Sequence, residues 1–431
     1  MPHMVLSRGL LRLLALTCCV TIANIYYAQP LLDTIARDLR VSQSAAGIVV
    51  AATQLGFAVG LVFVVPLGDI VPRRPLIAAL LAVDAAALAA SAAAPGLRAL
   101  AAVAVLVGLS SVVVQMIIPY AATLARDQER AGAIGTLMGA VLVGVLLSRA
   151  FAGIVAGAGG WRAVYAVAAG LMAVMAMVVG RALPAHEREV GQGYAVQMRA
   201  VLRLALSEPA LRWRSLIGAA QFAAFSCFWT TVTFLLSRRP FGCSQAEIGL
   251  FALVGAAGAV CALTIGRLLD RHQQLRWRVT GISATLLLGS FGVLFAGSRS
   301  LGWLIAGALL MDAASQGVHV TNQAVIYNLV GGARSRITAT YMTIYFFGGA
   351  LGTMIGAAAY SHYGWGGACG AAAAFCGVGL AGWLATRRHE RPAPIAAAPA
   401  SWLAGCDVGQ AGKPQPWSSR SAAGPDGDLG S

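Results

Sequence analysis

Inside an apolar run at 300–329 stand Asp312, Ser315, Gln316, His319, Asn322 and Gln323. They fall at i, i+3, i+4, i+7, i+10 and i+11, one stripe of an α-helix. A carboxylate and an imidazole two turns apart on such a stripe are groups that can take up and release a proton. Polar groups at membrane depth face a cavity or a partner and avoid lipid. The stripe is read as a cavity wall, with Asp312 and His319 as proton carriers and Gln316, Asn322 and Gln323 as solute contacts. The alternative is interhelical hydrogen bonding that never meets a solute.

Other polar groups sit inside apolar runs. Asn24 and Tyr27, three residues apart, and Gln115 are candidate solute contacts; Tyr26, Gln29 and Trp229 are neighbours of that surface or interfacial anchors. Arg149 lies in the middle of a fifth apolar run, where a cation is tolerated only if paired or hydrated. It could bind an anionic group, or satisfy Asp84 or a backbone carbonyl. Asp84, alone in a third run, reads as structural.

The elements that must position these groups are membrane helices. Of 431 residues, 58% are hydrophobic and 11% charged, and mean hydropathy is +0.74; soluble chains carry about 25% charged residues. Apolar runs long enough to cross a hydrocarbon core of about 30 Å lie at 11–32, 45–67, 75–94, 98–123, 131–157 and 161–182, then at 212–237, 245–266, 277–296, 300–329, 335–361 and 365–386. The expected fold is all-α and integral to the membrane, with twelve transmembrane helices in two pseudo-symmetric six-helix halves. The halves are 1–182 and 212–388, joined by a polar linker at 183–211, with a disordered Ala/Pro/Gly/Ser tail at 389–431. The net charge of +15 comes from arginines at the ends of apolar runs, so it reads as topology and not as nucleic-acid binding. Arg8, Arg12, Arg73, Arg74, Arg126, Arg130, the linker, Arg267 to Arg278, Arg334, Arg336, Arg387 and Arg388 all fall on one side. That side, and with it both termini, is expected in the cytoplasm.

An internal repeat supports the halves. Ser42-Gln43 with Gly47 recurs as Ser244-Gln245 with Gly249, Asp69 as Asp270, Arg130 as Arg336, and Gly160-Trp161 as Gly364-Trp365, at offsets of 202, 201, 206 and 204. Repeated halves with termini on one face place a binding site at their interface near the bilayer midplane.

The twelve-helix plan, the central linker and the turn Leu67-Gly68-Asp69 with Arg73-Arg74 resemble the major facilitator superfamily. Asn24 to Leu32 and Gly159 to Tyr165 resemble bacterial efflux permeases of its twelve-helix drug:proton antiporter branch, over residues 10–388. The resemblance implies a multi-pass protein of the inner membrane that exports drugs or sugars in exchange for protons. It also implies a conformational latch at Asp69, Arg73 and Arg74, repeated at Asp270 and Arg271, in which the aspartate accepts bonds from a neighbouring helix start. Val65, Ile70 and Pro72 depart from the loop motif, and Ser148-Arg149 replaces the Gly-Pro pair of the fifth-helix antiporter motif.

Two classes of function compete. A membrane enzyme or sensor would need a nucleophile with its base, a metal cluster or a soluble domain. The six histidines are scattered, six of the eight cysteines lie in apolar runs, no Walker-type motif occurs, and the only lysine is Lys413. The chain therefore reads as a non-enzymatic secondary transporter without cofactor or metal, a monomer whose partners are a small-molecule substrate, protons and the lipid bilayer. Proton-coupled efflux is the expected activity, and uptake or exchange of a small metabolite the alternative. Reporter fusions after Leu183 and after Arg388 should both report cytoplasm, and an external signal at either would overturn the helix count. Asp69→Asn, at matched expression, should slow turnover without loss of protein from the membrane; unchanged transport would remove the latch.

Overall fold

The computed structural model describes residues 6–126, 128–184, 194, 207–327, 329 and 334–386. Most of the linker and the whole of the tail lie outside the described residues, as do the side chains of Asp69, Asp270 and residues 334–336. Everything ordered into regular structure among the described residues is helical.

Among the described residues ten helices are long and apolar enough to cross a membrane. Two of them, Arg130–Ala182 and Arg334–Thr386, run for 53 residues each. At about 1.5 Å per residue each would be about 80 Å long, more than twice the hydrocarbon thickness. Each turns back at a glycine: Gly160 has φ 76° and Gly364 φ 63°, a left-handed conformation that only glycine adopts without strain. Twelve crossings result. We number them α1 (Arg8–Asp38), α2 (Gln43–Phe63), α3 (Arg73–Ala92), α4 (Leu97–Leu124), α5 (130–159), α6 (161–182), α7 (Pro209–Leu236), α8 (Gln245–Leu269), α9 (Arg276–Ala296), α10 (Leu301–Ile326), α11 (334–363) and α12 (365–386).

The repeated anchors have repeated local structure. Ser42 caps α2 by accepting from the Ala45 N–H, and Ser244 caps α8 in a capping box with Glu247. At the two corners, the Trp161 indole donates to Asp38 at 3.0 Å and the Trp365 indole to the Leu294 carbonyl at 2.8 Å. Arg162 also donates to Asp38.

Three helices are interrupted; in α4 a one-residue break at Val112 separates Leu97–Ser111 from Val113–Leu124. In α1 the helix is broken by a tightened stretch over Asn24 to Tyr27, where the N–H groups of Asn24, Ile25 and Tyr26 donate to carbonyls three residues back, and it resumes at Ala28–Asp38. Pro30 explains the break: it has no N–H to give the Tyr26 carbonyl, which takes Gln29 N–H instead at 3.2 Å. In α8 a 3₁₀ turn at Ala252–Gly255 separates a short helix, Gln245–Phe251, from Ala256–Arg271.

Small residues set the packing, as expected where lipid offers no hydrophobic contrast. Gly348, Gly352 and Gly356 on α11 lie against the α7 backbone and side chains at Ala219, Ala223 and Cys227, with no room for a Cβ. Between the halves, α2 meets α11 and α5 meets α8. Gly153 and Gly249 lie face to face, and the Phe57 and Phe346 ring centroids are 4.4 Å apart.

Polar contacts also cross this seam. Gln54 Nε2 donates to Ser226 Oγ at 3.1 Å, and Thr353 Oγ1 donates to Gln54 Oε1 at 3.2 Å, so one buried amide ties α2 to α7 and α11. Thr233 Oγ1 donates to the Gln29 carbonyl at 3.1 Å. At the ends of the helices remote from the arginine-rich turns, Arg238 Nη2 donates to Gln43 Oε1 at 3.0 Å, and Gln43 Nε2 to Asp33 Oδ1 at 2.9 Å. Among the described residues these interhalf bonds run from the middle of the helices to the arginine-poor face, which is therefore the closed one.

Gln54→Leu keeps the side chain's bulk and removes both amide bonds, worth about 0.6 kcal/mol each in a bilayer. In detergent, a cysteine introduced at Ala36 in a background lacking native cysteines should then react with a maleimide several-fold faster. An unchanged rate would mean that the amide does not hold this face shut.

Candidate functional site

Helix α5 carries Arg149 into the seam, where it is only 3% exposed. Its Nε donates to Gln29 Oε1 at 2.8 Å and its Nη1 reaches the Val145 carbonyl at 3.5 Å, while Nη2 has no partner. Three rings enclose the guanidinium: Tyr26 at 5.0 Å, Phe225 at 5.8 Å and Trp229 at 4.4 Å from ring centroid to Cζ. Tyr26 comes from the first half, and Phe225 and Trp229 from α7 in the second. Such cation–π contacts are worth about 2 kcal/mol or more when desolvated, so the cage holds a cation that hydrocarbon would reject. The break in α1 is what aims Gln29 at Arg149, because the polar side chain sits on the first turn after it.

Asp312 on α10 is buried across a small cavity from Arg149. Its carboxylate fits because α8 presents glycine there: a Cβ on Gly258 would come within 2.2 Å of Asp312 Oδ2. The cavity, lined by Val145, Arg149, Phe225, Asp312 and Gln316 among others, holds about 30 Å³, room for a water or two. Trp229 Nε1 faces the same carboxylate outside hydrogen-bond geometry. No ion pair within 4.0 Å joins Arg149 to Asp312 among the described residues. A cation from one half and a titratable carboxyl group from the other thus line one small cavity without forming an ion pair.

The rest of the tenth-helix stripe divides by neighbour. Gln316 shares the Asp312 cavity. Ser315 accepts from Gln221, and Asn322 Oδ1 accepts from Arg214 Nη1 at 3.1 Å, so both face α7. Arg214 is fully buried and also donates to Thr280 Oγ1 at 3.0 Å. His319 points toward α11, with Nδ1 3.4 Å from the Tyr341 hydroxyl, Nε2 3.1 Å from Gln323 Nε2 and its ring 4.8 Å from that of Tyr345. Among the described residues, the cavity that Asp312 lines does not include His319.

In the first half, Asn24 Nδ2 donates to Asp84 Oδ2 at 2.8 Å, and Asp84 also accepts from Ser110 at 3.0 Å and Ser111 at 3.4 Å. This closed set lies within α1, α3 and α4. It corrects the idea that Arg149 satisfies Asp84: the arginine takes Gln29 and a backbone carbonyl. Tyr27 packs on Phe151 at 5.5 Å, inside the same half, and Gln115 is half-buried on α4. At the basic turn, Arg73 Nε donates to the Gly68 carbonyl at 3.3 Å and Arg74 Nε to the Gly180 carbonyl at 2.9 Å, tying the turn to the end of α6. The Asp69 and Asp270 carboxylates of the expected latch lie outside the described residues, and Arg271 is exposed at the end of its helix.

Sequence reasoning missed Gln54 and Arg214 and gave Gln29 a minor place. Gln54, a lone amide inside an apolar run, carried a readable signal. Arg214, at the start of its run, looked like one more linker charge.

The model of the Major Facilitator Superfamily matches residues 14–297 and 222–425. The uncharacterised transporter YgaY of Escherichia coli (strain K12) is 44% identical over 382 residues, covering 89% of this chain and 96% of that protein. A Streptomyces coelicolor protein named as a transporter, SCO4007, is 35% identical over 387 residues, covering 89% and 88%. A solved bacterial homologue of the human lysosomal transporter Spinster, inward-facing and occupied, superposes with a TM-score of 0.73 at 16% identity, over 90% of this chain and 98% of that one. A membrane-spanning pair of helical halves that meet at a buried, charged seam is thus a transporter and not an enzyme, and the chain belongs to the Major Facilitator Superfamily.

Proposed function

We propose that this transporter is coupled to protons and exports a small organic solute, drug-like or sugar, in exchange for them by alternating access. It would work as a monomer in the inner membrane with both termini in the cytoplasm. The supporting observation is the gap between Asp312 and Arg149. A carboxylate buried at the seam without an ion pair has two competing occupants, a proton and a solute that donates hydrogen bonds. Whichever arrives displaces the other, and release to opposite faces makes the competition an exchange. The closed arginine-poor face fits this cycle, because by the arginine distribution it is the outer face.

A second reading is uptake or exchange of a small metabolite, and Arg149 favours it. An anionic solute on the guanidinium is repelled by an ionised Asp312, so it would load together with a proton instead of against one.

Proteoliposomes containing a pH-sensitive dye, screened against a solute panel with an imposed pH gradient, test the coupling and its sign. Asp312→Asn should abolish pH-driven transport and leave downhill solute exchange measurable, since the amide keeps the shape and loses the titratable group. His319→Gln should keep pH-driven transport, because His319 lies with Tyr341 and away from Asp312. Wild-type pH-driven transport in Asp312→Asn would defeat the mechanism.

A further inference from the structure

Three donors near Arg149 are each at least nine-tenths buried and unpartnered: Arg149 Nη2, Gln29 Nε2 and Trp229 Nε1. The three residues line one small cavity of about 10 Å³, walled otherwise by apolar groups such as Val232, Ile248 and Phe251. An unsatisfied buried donor costs about 1–3 kcal/mol, so Arg149 Nη2 and Gln29 Nε2, on residues that line one cavity, describe a missing acceptor, while Trp229 Nε1 is turned to Asp312. The guanidinium adds charge to that requirement. Nε and Nη2 form the side of the arginine fork that matches the two oxygens of a carboxylate, and Gln29 Oε1 occupies only the Nε prong. Water could accept a bond from one donor, but it cannot neutralise a cation at membrane depth.

We infer that this donor set is the recognition site for the anionic group of a small organic carboxylate, whose apolar body lies against the Tyr26, Phe225 and Trp229 rings. The inference rests on the reading of the Arg149–Asp312 seam as the solute site, in its second form, in which an anion loads together with a proton. It names what the seam selects: a planar acceptor with negative charge at one end and an apolar remainder. In the present closed state the cavities admit only a water-sized group, so the carboxylate would dock when the halves part and the donors would close around it.

The test is equilibrium binding to the full chain in nanodiscs, with no gradient, followed by thermal shift. The probes are matched pairs that differ only in charge: benzoate and benzamide, phenylacetate and phenylacetamide, 1-naphthoate and 1-naphthamide, with chloride as the inorganic control. At least one carboxylate should bind tenfold or more tighter than its amide, and Arg149→Gln should reduce that ratio to about one. Arg149→Lys keeps the cation and removes the planar fork, so it should lower the ratio several-fold, and it decides the matter if Arg149→Gln does not fold. Equal binding of every acid and its amide would overturn the inference, as would a ratio untouched in the variants, or an effect that chloride alone reproduces. Equal binding with Asp312-dependent transport intact removes only the substrate class. A carboxylate preference with transport insensitive to Asp312→Asn removes only the coupling.

Discussion

A guanidinium at the middle of a membrane must be solvated by protein, since the lipid can do nothing for it, and much of this fold is arranged to meet that demand at Arg149. The helix of α1 is broken so that Gln29 can accept from Nε. α7 brings Phe225 and Trp229, and α1 brings Tyr26, to put three π faces around the cation. α8 loses its side chain at Gly258 so that a carboxylate can stand within reach but not in contact. No single helix could do this. The solvation shell of one residue is assembled from both halves, so it persists only while the halves are together.

Other buried polar groups show the same constraint solved locally. Asp84 takes donors from α1 and α4 and is finished within its own half. Arg214 spends its bonds on Thr280 and Asn322 within the other. These networks travel with a rigid half and cost nothing when the seam opens. Gln54 and Arg149 differ because their partners are divided between the halves, which makes them sensitive to the conformational state.

How far the amino-acid sequence reveals this depends on the range of the interaction. Gly160-Trp161 and Gly364-Trp365 were legible as repeated anchors, and the corners that they make are encoded locally, by a residue that tolerates positive φ beside a tryptophan with an N–H to place. Ser42 and Ser244, read as another repeated pair, cap their helices in the same local way. The tenth-helix stripe was legible as a periodicity, but a straight stripe cannot say which neighbour each side chain meets. Asp312, Asn322 and His319 share a face in sequence and reach α8, α7 and α11 in space. The pairing of Arg149 with Gln29 spans 120 residues and depends on a proline-induced break that no spacing rule announces. Its rival partner, Asp84, looked equally available until the serines of α4 were found to have claimed it.

The interruptions of α1 and α8 fall at different places in the repeat. The first half breaks α1 after Ala23, whereas α7, its counterpart, is continuous from Pro209 to Leu236. The second half breaks α8 at Ala252–Gly255, whereas α2 is continuous from Gln43 to Phe63. Identical halves with their termini on one face would be interchangeable by an axis along the membrane normal, and every bend in one would have its match in the other. Here the irregular backbone of each half lies on a different helix. A motion that uses it in one half has no counterpart in the other, so the two halves are different parts and not two copies of one part.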